Sequence, residues 1–177
     1  MNAIPNTGLI TLATIHDAAA LAVLVNSAYR GDSSKKGWTT EADLLDGIRT
    51  DEASLNRIMT DNASVILKCC DPAGQLSGCV YLQKKQTILY LGMLTVAPDL
   101  QAKGTGKQLL TAAESYAKQT GCSAITMTVI SIRHELIAWY ERHGYRPTGE
   151  IQPFPSDPAF GLPKQSLEFI VMEKPIL

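Results

Sequence analysis

Ile88-Leu89-Tyr90-Leu91-Gly92-Met93-Leu94-Thr95-Val96 runs into Ala97-Pro98 and then into Gln101-Ala102-Lys103-Gly104-Thr105-Gly106-Lys107. The apolar run is short, rich in large side chains and closed by Pro98, which cannot donate a ladder hydrogen bond, so it reads as a buried central strand. Beyond the loop, Gly106, Leu109, Leu110, Ala113 and Ala117 recur at helical spacing up to Gly121, a residue suited to the left-handed turn that ends a helix. The stretch is a strand, a glycine loop and a helix.

Such a junction suits an anion. The first N–H groups of a helix lack internal partners and sit at the positive end of its dipole, and Gly104 and Gly106 let a bulky group approach the main chain. Lys103 and Lys107 add mobile positive charge. Two glycines before a helix also occur in plain tight turns, so spacing alone does not decide for phosphate. Nucleotide motifs fit poorly: Gly104-x-Gly106 lacks a third glycine at the dinucleotide offset, and Lys107 is not followed by Ser or Thr.

Leu94 to Gly106 resembles the acetyl-CoA-binding motif of the GNAT N-acetyltransferase superfamily, which places a glutamine or arginine, two residues, glycine, one residue, and glycine or alanine after a Val-x-Pro strand end. Downstream, Ala138-Trp139-Tyr140-Glu141-Arg142-His143-Gly144-Tyr145 resembles that superfamily's helix ending in Tyr-Glu-x-x-Gly-Phe/Tyr. The resemblance implies an α/β fold with a mixed, mostly antiparallel sheet flanked by helices and a splayed central strand pair, spanning residues 1–177 as one domain. It also implies transfer of acetyl from acetyl-CoA to a primary amine, of a small molecule or of a peptide, by direct attack in a ternary complex. The alternative is a non-catalytic acyl-CoA-binding or sensing module.

By the same resemblance, Gln101, Ala102, Lys103, Gly104, Thr105, Gly106 and Lys107 hold the pyrophosphate, while the backbone of Leu94, Thr95 and Val96 holds the pantetheine arm and polarises the thioester. Tyr140 matches the general acid toward the CoA sulfur; its bland reading is a core aromatic at helical spacing from Leu136 and Ile137. Arg133 replaces a common asparagine seven residues before that tyrosine and is a candidate for a cofactor phosphate. Ala102 replaces a common glycine, which matters if the position needs a positive φ. No carboxylate lies between Thr87 and Val96 to serve as base, which leaves Glu41, Asp43, Asp46, Glu168 or water. Asp43 has a competing role as a helix cap, and Glu41 and Asp46 as a solvated helix face.

The 177 residues carry a net charge of −1, which offers no positive field for nucleic acid or anionic membrane. Met1 to Gly8 lacks the basic segment of a signal peptide and Ala18 to Val25 is too short to span a bilayer, so the expectation is a cytoplasmic protein, with a homodimer left open. Cys69, Cys70, Cys79 and Cys122 show no C-x-x-C spacing and read as free thiols, and His16, His134 and His143 show no metal-ligand grouping. No metal is expected.

Elsewhere the pattern predicts a strand over 9–14, a helix capped by Asp17 and running to about Tyr29, and a polar loop to Thr40. Trp38 in that loop is either a lid or an anchor. A short helix capped by Thr40 and another over 51–59 follow, then a hairpin of 65–70 and 76–83 about the turn Asp71-Pro72-Ala73-Gly74. Residues 124–130 alternate as a strand parallel to the central one, a helix capped by Ser131 stops at Gly144, and 145–150 is a strand. Prolines 153, 155, 158 and 163 predict no regular structure from Ile151 to Gln165 before a last strand carrying Leu167, Phe169 and Val171.

Overall fold

The computed structural model describes residues 8–177, so the expectation drawn from Met1 to Gly8 lies, but for Gly8, outside the described residues. In chain order the elements are β1 (Leu9–Leu12), α1 (Ala18–Tyr29), α2 (Gly31–Ser34), β2 (Leu45–Asp46), α3 (Glu52–Thr60), β3 (Ser64–Cys70), β4 (Leu76–Lys85), β5 (Ile88–Val96), α4 (Thr105–Gln119), β6 (Ala124–Ile130), α5 (His134–Arg142), β7 (Arg146–Pro153), β8 (Leu162–Pro163) and β9 (Glu168–Pro175). Seven strands make one sheet in the order β1-β3-β4-β5-β6-β9-β7, and β2 with β8 makes a separate two-stranded ribbon. Within the large sheet β5 and β6 run parallel and every other pair runs antiparallel. This is the mixed, mostly antiparallel α/β architecture expected.

Helices cover both faces. Leu109, Leu110, Ala113 and Ala117 of α4 bury against Leu89 and Leu91 of β5 and Ile125 of β6, while Leu21, Val25 and Ala28 of α1 pack with Leu55 of α3 against Ile66, Cys79 and Met93. Each fully buried leucine in these layers contributes about 2 kcal/mol of hydrophobic stabilisation. Leu89 and Leu91 face α4, but Met93 faces α1. The flip is a bulge: β4 pairs Cys79 with Thr95 and Tyr81 with Gly92, so Met93 and Leu94 both stand opposite Val80, and Met93 takes φ 52°. One extra residue inverts the alternation, so Leu94 and Val96 return to the α4 side.

Several expectations are corrected by tertiary contacts. Thr40 accepts the N–H of Ala42 at 3.1 Å as a cap would, but no helix follows. Instead Leu45 pairs with Pro163 and Asp46 with Leu162, and Gly47 turns away at φ 86°. The prolines do not bar structure throughout 151–165 either. β7 extends to Pro153 because it is the outer strand of the sheet, where a proline costs no ladder bond. Asp17 does not cap α1; its carboxylate accepts the Thr14 N–H at 2.8 Å and pairs with Lys68 Nζ at 2.7 Å. Ser131 does not cap α5, which begins only at His134. Cys69, Cys79 and Cys122 are buried free thiols and Cys70 is half-buried. Among the described residues, no helix is long and apolar enough to cross a membrane.

Tyr145 carries a cost inside this core. Its ring is fully buried, stacked edge-on to Tyr140 at 5.8 Å, yet its hydroxyl has no hydrogen-bond partner. An unpaired buried hydroxyl destabilises by about 1 kcal/mol or more. Tyr145→Phe is therefore expected to raise stability by about 1 kcal/mol, or roughly 2–4 °C in Tm by thermal unfolding. A variant less stable than the parent would show that the hydroxyl has a partner.

Candidate active site

The parallel pairing of β5 with β6 stops early. Ile88, Leu89 and Tyr90 pair with Ala124, Ile125 and Thr126, and beyond Tyr90 the strands separate while β6 stays bonded to β9 through Ile130. The bulged end of β5 is therefore left without a strand on its β6 side. Two cavities occupy the split, one of about 670 Å3 toward α4 and one of about 350 Å3 on the other side of the strand ends. Tyr29, Leu94, Leu136 and Tyr140 line both.

The larger cleft is floored by the start of α4. Gly104, the residue preceding the helix, takes φ 92°, and no side chain caps the N-terminus. By helix geometry the N–H groups of Thr105, Gly106 and Lys107 lack internal acceptors; the helical ladder begins with Gln108 N–H to Gly104 O at 3.0 Å. A Cβ on Gly104 would meet nothing within 4 Å, so the space before the helix is open. Ala102 adopts φ 63°, the positive value that its replacement of glycine made critical, so this alanine is strained in a loop that keeps its turn.

Gln101 does more than supply main chain. Its Oε1 accepts the Trp38 N–H at 2.9 Å, and its Nε2 donates to Thr39 Oγ1 at 2.7 Å and to Val96 O at 3.2 Å. One side chain thus ties the loop after α2 to the end of β5. Trp38 is held against the cleft with its ring 6.2 Å from that of Trp139, so it is both anchor and wall.

α5 forms the opposite wall. Trp139 packs over Gly106, where a Cβ would stand 3.2 Å from the indole, which explains why this helix turn needs glycine. Trp139 also stacks on His143 at 4.3 Å, and His143 Nδ1 lies 2.7 Å from Trp139 O. A carbonyl only accepts, so Nδ1 carries a proton. Tyr140 is buried; desolvation, then the nearby Tyr29 and Tyr145, hold its hydroxyl well above the usual phenol range. Tyr29 is pushed up to about 12, first by burial and then by Glu41, and its hydroxyl donates to Leu94 O. Both phenols keep their protons at neutral pH.

The smaller cavity is lined by Arg30, Arg49, Lys85 and Arg133 with Glu41 as its lone lining carboxylate. Glu41 is buried between two guanidiniums: Arg30 Nη2 lies 3.1 Å from Oε2, and Arg133 Nη1 lies 3.5 Å from Oε1. Arg30 also donates to the carbonyls of Asp46, Ile48 and Phe160, so it staples the β2 and β8 segments over the cavity. Gly161, at φ 102°, fits there because a Cβ would stand 2.5 Å from Arg30 Nη1.

Residues 32–145 match the sequence model of the Acetyltransferase (GNAT) family. The chain belongs to that family. Among its relatives is an uncharacterized N-acetyltransferase, YhfO, of Bacillus subtilis, 32% identical over an alignment of 142 residues that covers 77% of this chain and 88% of YhfO. The fold is also that of the Escherichia coli ribosomal-protein-S18-alanine N-acetyltransferase, with a TM-score of 0.72 at 16% identity over 96% of this chain and 94% of that one. A third likeness is Salmonella typhimurium yncA, a putative acetyltransferase crystallised with its cofactor acetyl-CoA, with a TM-score of 0.70 at 17% identity over 97% and 95% of the two chains.

In this GNAT chain the residues singled out from sequence divide three ways. Leu94, Val96, Gln101, Ala102, Gly104, Gly106, Lys107 and Tyr140 line the large cleft. Thr95, Lys103 and Thr105 do not; the Thr95 side chain turns into the protein and donates to Met93 O at 3.0 Å. Arg133 lies on the smaller cavity, directed at Glu41 rather than at the glycine loop. Of the four carboxylates named from sequence, only Glu41 lines either cavity, Asp46 is paired with Lys164 at 3.3 Å, and Asp43 and Glu168 are exposed. Tyr29 and Trp139 were not legible as site residues, although an aromatic beside Tyr140 on a helix was the available signal for Trp139.

Two outcomes follow. Glu41→Ala leaves Arg30 and Arg133 without their shared counter-ion and is expected to lower unfolding stability by about 3 kcal/mol in a denaturant titration; an unchanged midpoint would show the cluster to be slack. Gly104→Val places a β-branched residue at positive φ and fills the open space before α4, so calorimetry should register at least a tenfold loss of CoA affinity. Full affinity in that variant would move the phosphates elsewhere.

Proposed function

We propose that this GNAT chain is an acetyl-CoA-dependent N-acetyltransferase that acts on a primary amine by direct attack. The observation that carries this reading is the placement of Tyr140 at the junction of the two cavities, on a wall shared by both. The larger cleft suits the cofactor: free N–H groups at the start of α4 and Lys107 complement a diphosphate, and Leu94, Val96, Leu136 and Trp139 offer an apolar channel for its arm. The smaller cavity is left for the acceptor.

When bound, acetyl-CoA supplies an acetyl group activated as a thioester, whose transfer to nitrogen releases a thiolate. Tyr140 donates its hydroxyl proton to the leaving sulfur, a role for which a neutral buried phenol is suited. The unpaired edge of β5 provides backbone donors toward the acyl group. Tyr29 already occupies Leu94 O and Gln101 already occupies Val96 O, so this work falls to N–H groups of the edge. Glu41 does not serve as base, because both its oxygens face guanidiniums, and the amine proton passes to water in the smaller cavity.

The locked state of Glu41 also favours a second reading, an acyl-CoA-binding module without turnover. Following thiol release with acetyl-CoA and a panel of amines separates the two, since a sensor binds CoA and releases none.

Tyr140→Phe is expected to lower kcat by roughly ten- to a thousandfold with CoA affinity unchanged. Because the hydroxyl is held above its ordinary range, the parent enzyme should show no loss of kcat from phenol ionisation below about pH 10. Equal turnover in the phenylalanine variant would remove Tyr140 from the acid role.

A further inference from the structure

The smaller cavity has a charge pattern that the acetyl-transfer chemistry does not require. Four cations line it against one carboxylate, and that carboxylate is consumed: Glu41 spans Arg30 and Arg133. Arg30 is itself saturated by Glu41 and three backbone carbonyls. Arg133 is not. Its one side-chain hydrogen bond among the described residues is a 3.5 Å contact, which leaves four of the five guanidinium N–H donors without a partner there at the cavity wall. Arg49 and Lys85 have no carboxylate partner among the described residues; the Arg49 guanidinium lies 6.0 Å from the Tyr29 ring and Lys85 Nζ lies 4.8 Å from the Tyr90 ring. Asp46 does not line this cavity and is paired with Lys164 at 3.3 Å.

Arg49 is also placed with care. Asn26 of α1 accepts the Arg49 N–H at 2.7 Å and the Thr50 N–H at 3.2 Å through Oδ1, and its Nδ2 donates to Thr50 O at 2.9 Å. The backbone beneath the guanidinium is thereby pinned to a core helix, as a positioned binding group requires. The remaining walls are mostly apolar and aromatic, among them Met127, Val129, Phe154 and Phe169, the two phenylalanine rings 5.2 Å apart, with Thr128 and Gln152 the polar exceptions.

Resting on the acetyltransferase reading above, we infer that the acceptor is a small amino acid with an apolar side chain, whose carboxylate is held by Arg49 and Arg133 and whose amine is thereby presented at Tyr140. A guanidinium pairs with a carboxylate through two parallel hydrogen bonds, so it orients as well as attracts. Polyamines, aminoglycosides and lysine-rich peptides carry the same sign of charge as this cavity and are poor acceptors.

The test compares matched amines on the intact protein: phenylalanine with phenethylamine, leucine with 3-methylbutylamine, and spermidine as the cationic control. Acetyl-CoA-dependent thiol release gives kcat/KM for each, and calorimetry on the CoA-loaded protein gives binding. At least a tenfold preference for each amino acid over its decarboxylated partner is expected. Arg49→Gln should bring that ratio close to one through KM, and Arg49→Lys should restore part of it. Arg49 is half-buried on a loop, so both variants are expected to fold, which thermal unfolding verifies. Turnover of the decarboxylated amines or spermidine in preference to the amino acids would overturn the carboxylate anchor while leaving N-acetyl transfer intact. A ratio unaffected by Arg49→Gln would overturn it equally. Absence of thiol release with every amine, in a protein that binds CoA, would instead remove the transferase reading and this inference with it.

Discussion

The structure depends on a backbone that is only half paired. β5 is bonded to β4 along its length but keeps β6 for just three residue pairs, so its last turn of chain presents main-chain groups to a cleft in the middle of the molecule. Unpaired main chain inside a fold is costly unless something occupies it. Here side chains occupy part of it: the Tyr29 hydroxyl takes Leu94 O and the Gln101 amide takes Val96 O. The bulge at Met93 and Leu94 then turns both Leu94 and Val96 toward the cleft rather than toward α1. Split, bulge and side-chain caps are one device, and the two cavities are its result.

Around that split, polar contacts fix segments that have no regular structure of their own. Gln101 binds the Trp38–Thr39 loop, Arg30 binds the carbonyls of residues 46, 48 and 160, and Asn26 binds residues 49 and 50. Asn26 and Arg30 reach out from α1 and its end, and Gln101 reaches across from the glycine loop. Burial of the Arg30–Glu41–Arg133 cluster is tolerated because each charge has an opposite neighbour and Arg30 has further acceptors.

The same cluster separates the two tasks of the proposed site. The phenols of Tyr29 and Tyr140 stand on the wall shared by both, and free N–H groups with Lys107 face the larger cleft, where a phosphate-bearing cofactor with a long apolar arm is to be held. Guanidiniums face the smaller cavity, where one carboxylate is too few to balance them. An acceptor that supplies its own negative charge completes that field.

The sequence by itself determined the elements with strong local signals. The apolar run ending at Pro98, the helical spacing from Gly106 to Ala117 and the alternation over 124–130 each express a period that neighbours alone impose, and all three appear where expected. The resemblance of Leu94–Gly106 and Ala138–Tyr145 to GNAT motifs likewise rested on contiguous residues. Tertiary structure alone decided the rest. Thr40 to Ile48 carries a helix-like pattern but pairs with Pro163 and Leu162, far along the chain, and strand pairing outweighs weak helix propensity. Glu41 looked like a solvated acid and is instead enclosed by Arg30 and by Arg133, which lies 92 positions away. No local pattern encodes a partner at that distance, because charge pairing in a buried pocket depends on which surfaces the sheet brings together.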